Sequence, residues 1–175
     1  MLELSRVLVE KNLVARRQIE ELNSRRLLTG DSIDRMLVKE SILREADILT
    51  ELSRLTNIPF KHMADLKIDP EAVAKVQPRA ALRYNIMPIS MESGVMTLAT
   101  SRVPDIATVD SLRMLLNSAI SWVLCTDTDI TKSLKHFYGL GAETIDNISD
   151  QNLMQEADLQ GKDVSVETAD EGVVK

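Results

Sequence analysis

Up to Thr56 the chain places apolar side chains at helical spacing, in groups separated by polar stretches. The groups are Leu4, Val7 and Leu8, then Ile19 and Leu22, then Ile33, Met36 and Leu37, then Ile48, Leu52 and Leu55. Recurrence every three or four positions is the signature of amphipathic helices, whose apolar stripes meet in a shared core. The pattern also repeats itself: Leu4, Arg6, Leu8, Val9, Leu13, Val14 and Ile19 return 29 positions later as Ile33, Arg35, Leu37, Val38, Ile42, Leu43 and Ile48. Self-similarity at such a period points to two copies of one helical hairpin. Breaks are expected near Asn12, Gly30 and Ser41, since asparagine and glycine tolerate the left-handed conformation that ends a helix.

From Asn57 onward the pattern changes, and all five prolines lie between there and Gly139. Ile58 to Met63 reads as extended. Asp69-Pro70-Glu71 is a cap followed by proline at the first helical position, and Gln77-Pro78-Arg79 restarts a helix toward Tyr84. Ile86 to Ser90 and Val95 to Thr100 flank Met91-Glu92-Ser93-Gly94 as a hairpin. Asp105 caps a helix through Leu116, and Ala119 to Cys125 forms a short strand. A last helix, capped by Asp127 or Thr128, closes at Tyr138-Gly139. The order helix, strand, strand, helix, strand, helix with an internal hairpin requires an antiparallel pair, which gives an α+β class. Three regions result: a helical subdomain at 1–56, an α+β subdomain at 57–140 and an acidic, disordered linker at 141–175.

Composition narrows the function. The net charge of −6 is concentrated in the stretch 141–175, where nine acidic side chains face two basic ones, leaving the chain up to Leu140 at +1. No basic footprint for nucleic acid exists. The helix-strand order from Asp69 also suits a K-homology fold, but its RNA-gripping GXXG loop is missing. No apolar run approaches the ~18 residues of a membrane span, and the charged N-terminus lacks a secretion signal, so a cytoplasmic location is expected. Phosphate loops of the GxxxxGK[ST] type, GxSxG elbows and GxGxxG turns are all absent. His62 and His136 lie far apart in the chain, in different elements, and with the lone Cys125 they make no metal set. Cys125 and Trp122 read as core side chains, and Glu20/Glu21 and Asp31/Asp34 as solvated faces. No catalytic and no metal-binding residues are assigned.

The twice-repeated LVxxxLVxxxxI pattern resembles the N-terminal domain of type II secretion and type IV pilus assembly ATPases. Further landmarks extend the resemblance: Leu49-Thr50-Glu51-Leu52-Ser53 before Asn57-Ile58-Pro59-Phe60, then Leu66 to Pro70, Arg83 to Ile89, Gly94 to Thr100, and Ile130 to Tyr138. Asp170 to Lys175 is similar to the approach to the ATPase body. The resemblance implies a fragment cut before its motor, with ATP and magnesium expected only in that missing domain and no cofactor in this chain. Its implied partners are its own ATPase domain and the cytoplasmic domain of an inner-membrane platform protein. It would thus sit in the cytoplasm, peripheral to that membrane through partners, with no nucleic acid and no membrane insertion. Leu4, Val7 and Leu8 are the candidate docking stripe.

One branch of this family binds cyclic di-GMP through two tandem motifs that begin Arg-Leu-Gly and contain a further internal glycine. The aliphatic frame is present here as Leu8-Val9 and Leu37-Val38. The polar positions differ: Glu3-Leu4-Ser5 and Ser32-Ile33-Asp34 replace Arg-Leu-Gly, and Asn12 and Ser41 replace the internal glycines. Arginine offers a fork of donors to phosphate or guanine, whereas carboxylates repel a double anion. The alternative dinucleotide site would use Arg6, Leu8, Val9, Arg35, Leu37 and Val38, with Arg6 and Arg35 as compensating cations.

Overall fold

Asn12 and Ser41 both turn the backbone into the left-handed region, each at φ 55, and this conformation shapes the first half of the molecule. A computed structural model describes residues 2–139; the linker expected at 141–175 lies outside them. Helix α1 (Leu2–Glu10) and helix α3 (Ile33–Lys39) end in the same way. The Leu13 N–H donates to the Leu8 carbonyl at 2.9 Å and Asn12 N–H to Val9 at 3.0 Å. In the second copy Ile42 donates to Leu37 and Ser41 to Val38, both at 2.9 Å. These crossed bonds form a Schellman cap, which satisfies orphan carbonyls at the end of a helix. Helices α2 (Arg16–Thr29) and α4 (Glu45–Thr56) follow at the same offset. Gly30, at φ 72, ends α2, and Asn57, at φ 57, ends α4. The repeat is therefore a structural one. Leu4, Leu8, Ile33, Met36, Leu37 and Ile48 are buried together in its core.

The second half builds a three-stranded sheet in the order β1 (Ile86–Glu92), β2 (Val95–Thr100), β3 (Ala119–Leu124). β1 and β2 are antiparallel and β2 and β3 parallel, so the sheet is mixed and the class is α+β. The hairpin turn is tighter than the four residues expected, because Ser93 and Gly94 both adopt positive φ (48 and 80). Two such residues suit the twist of a tight hairpin turn. Helices α5 (Pro70–Ala74) and α6 (Pro78–Arg83) carry proline at their starts, and the Asp69 carboxylate accepts the Glu71 N–H at 2.9 Å. Asp105 caps α7 (Ile106–Leu116) by accepting the Thr108 N–H at 2.7 Å.

Three local expectations are corrected. Thr126, rather than Asp127 or Thr128, caps α8 (Asp127–Tyr138) through the Asp129 N–H. The extended stretch expected from Ile58 to Met63 ends one residue early: Phe60 bridges Leu124 of β3, His62 is still extended, and a 3-10 turn takes over at Met63–Asp65. β3 stops at Leu124, just short of the expected end at Cys125. The second core gathers Ile86, Met87, Met96, Leu98, Leu112 and Ile130, with Trp122 half-buried against it. Cys125 is fully buried, and burial pushes its thiol up to about 11. No described helix is long and apolar enough to cross a membrane.

Candidate functional site

The two halves meet along a cleft of about 460 Å³. Its floor is apolar, from Ile48, Leu49 and Leu52 of α4 and Val38 of α3. Its rim carries Asp34, Arg35 and Lys39 from α3, Glu45 from α4, Ser101 and Arg102 from the segment after β2, and Asp127 from α8. A second cleft of about 450 Å³ shares Asp34, Leu52 and Arg102, and adds Glu3, Leu4, Ser32, Leu55 and Val103. Glu3 and Ser32 are equivalent positions of the repeat. The fold thus brings the beginnings of both motif copies to one place, which a tandem site requires.

The electrostatics there do not favour an anion. Three cations, Arg35, Lys39 and Arg102, face four carboxylates, Glu3, Asp34, Glu45 and Asp127, across the two clefts. Desolvation, and next the nearby Arg35, hold the Arg102 guanidinium below its usual value. Desolvation also raises the Glu45 carboxyl, opposed by its hydrogen bond from the Asp127 N–H and assisted by the charges of Asp127 and Asp129. Asp127 Oδ1 accepts from Asn85 Nδ2 at 2.6 Å and from Ser101 Oγ at 3.0 Å, which fixes the first turn of α8.

The residues expected from sequence are distributed unevenly. Arg35 and Val38 line the cleft, whereas Arg6 points away and pairs with Glu10 at 3.6 Å. Arg6 and Arg35 are therefore not brought together as one cationic grip. Leu8 and Leu37 are fully buried and Val9 packs against the same core, so this frame supports the helices. Leu4 and Leu8 are 3% and 0% exposed and Val7 is half-buried, so the core occupies the expected docking stripe. Ser5 and Asp34, again equivalent, stand where the motif has its first glycines. Ser5 Oγ and Asp34 Oδ1 are both buried without a hydrogen-bond partner, a state few buried polar atoms tolerate. Sequence reasoning missed Arg102, Ser101 and Asp127, which lie in a loop and a helix start with no periodicity to flag them. Among the described residues, no group of three or more His, Cys, Asp or Glu is placed to hold a metal.

Residues 56–144 match the MshEN domain family. Among solved structures, one titled as MshE with cdg is 20% identical, has a TM-score of 0.70, and covers 77% of this chain and 98% of its own. The N-terminal domain of XpsE matches in two crystal forms. One is 13% identical with a TM-score of 0.52, covering 74% of this chain and 90% of that one. The other is 14% identical with a TM-score of 0.63, covering 75% and 91%. At these identities the likeness is one of fold. No curated protein matches by sequence. The family match spans the joint, the sheet and its helices, and with it this chain belongs to the MshEN domain family, the N-terminal domain of secretion and pilus ATPases.

Proposed function

We propose that this chain is a non-catalytic docking module that ties a secretion or pilus assembly motor to the cytoplasmic domain of an inner-membrane platform protein. One observation carries the reading. The place where both motif copies converge presents Glu3, Ser32 and Asp34 instead of arginines and glycine, and its carboxylates outnumber its cations. A double anion is repelled there, while the scaffold itself is intact. Apolar contact surface for a protein partner is available elsewhere: Leu27 and Leu28 on α2 are 85% and 87% exposed, and Ile106 and Met114 on α7 are also exposed.

Binding of this chain to the platform protein's cytoplasmic domain, measured by interferometry, tests the proposal. Saturable binding is expected, with Leu27→Asp/Leu28→Asp or Ile106→Asp/Met114→Asp weakening it by about ten-fold or more. Failure to bind any such domain would remove the reading.

A second reading is a cyclic di-GMP sensor. It is supported by the fold shared with MshE, solved with cdg, and by Arg35 and Arg102 facing one cleft. Titration with the dinucleotide separates the two.

A further inference from the structure

Helices α1 to α4 pack among themselves and α5 to α8 pack with the sheet, while contacts across the two sets are sparse. Their apolar cores are separate. The chain crosses once, through Asn57 in its left-handed conformation and Pro59, whose carbonyl accepts the Leu124 N–H at 2.8 Å. Away from that crossing, Glu45 at the start of α4 reaches over to α8. Its Oε1 accepts the Asp127 N–H at 2.9 Å, between positions 82 apart in the chain. Asp127 is itself clamped by Asn85 and Ser101, so this bond ties α4 to a rigid point of the sheet unit.

We propose that the Glu45 carboxyl group is a latch holding the helical half against the α+β half, and that its release lets the halves swing about Asn57 and Pro59. This goes beyond the docking reading and does not depend on it.

The latch is weakly set. The charged groups around Glu45 are Asp127 and Asp129 from α8, Arg102 from the segment after β2, and Asp34, Arg35 and Lys39 from α3. Asp47 lies on its own helix, where it is already engaged by Arg44. Desolvation and the α8 carboxylates lift the Glu45 pKa above its ordinary value against the pull of the Asp127 N–H. A carboxyl raised by folding gives stability that is complete below its unfolded value and lost as pH rises through its folded one. The latch therefore holds hardest in acid, below the ordinary carboxyl value, and slackens as pH rises through the raised one. An amide at this position keeps the acceptor and removes the charge.

Single-molecule energy transfer between dyes at Glu20→Cys on α2 and Ser111→Cys on α7 tests this, since both positions are exposed and Cys125 is buried. The parent protein should show a narrow distance distribution in acidic buffer at the ordinary carboxyl value and a broader one in mildly alkaline buffer. Glu45→Gln should stay narrow in both, and Glu45→Lys should be broad in both with unchanged circular dichroism. Identical distributions for parent and Glu45→Gln across that pH range would overturn the proposal, even if Glu45→Lys failed to fold.

Discussion

Replacing Ser41 by glycine is expected to stabilise the protein. Ser41 sits at φ 55, closing α3 by the same crossed hydrogen bonds that Asn12 makes after α1. An ordinary L-residue loses about 1–2 kcal/mol in that conformation, because its Cβ approaches the following carbonyl oxygen. Glycine avoids the clash but has more freedom to lose from the unfolded chain, a penalty of about 0.4–1 kcal/mol. Ser41 is exposed, so little packing is given up. The balance is a gain of about 0.5–1 kcal/mol for Ser41→Gly. Asparagine tolerates this region better than serine, so Asn12→Gly should be nearly neutral. Ser41→Val, with a branched Cβ in a left-handed turn, should destabilise by more than about 1 kcal/mol. Urea denaturation followed by far-ultraviolet circular dichroism would read these differences, and melting should move by about 2–4 °C per kcal/mol for a chain this size. A Ser41→Gly variant no more stable than Ser41→Ala would refute the reasoning, since alanine keeps the Cβ that glycine removes.

Three other outcomes are expected. Leu8→Ala and Leu37→Ala remove equivalent, fully buried side chains and should each lower stability by about 2–5 kcal/mol in urea titrations; a large effect at one position only would mean the two copies are not structurally equivalent. Cys125 is buried with its thiol raised to about 11, so it remains protonated at lower pH and should resist maleimide in native buffer yet react fully in urea; rapid native labelling would contradict its placement. The Tyr138 hydroxyl donates to a position shared by the Val73 and Val76 carbonyls, 3.2 and 3.1 Å away, and burial lifts its pKa to about 12. Tyr138→Phe should cost about 1 kcal/mol in thermal or urea unfolding, and no loss would show the bond to be redundant.

How far the fold could be read from the chain depended on whether the cause was local. The stops at Asn12, Gly30 and Ser41, the caps at Asp69 and Asp105, and the hairpin all follow from one residue's conformational freedom or side-chain reach. The α8 cap was not separable in this way. Thr126, Asp127 and Thr128 are all capping residues, and the choice falls to Thr126 because Asn85 and Ser101 engage the Asp127 carboxylate from elsewhere in the fold. The stripe of Leu4, Val7 and Leu8 illustrates a second limit. An amphipathic face states that something covers it without stating what, and here the covering partners are internal, with α1 packed on α4. Arg102 illustrates a third: a lone cation in an irregular segment gains meaning only when folding brings it beside Arg35 and Asp34. The equivalence of Glu3 with Ser32, and of Ser5 with Asp34, was legible from the repeat. That Glu3 and Ser32 line the same cleft required the coordinates.

Isothermal titration of the chain with cyclic di-GMP tests the central claim most directly. A scaffold that retains its duplicated aliphatic frame but sets Glu3, Ser32 and Asp34 at the meeting point of its two copies should give no saturable heat. Stoichiometric binding at micromolar affinity or tighter would contradict the account and establish the domain as a second-messenger sensor.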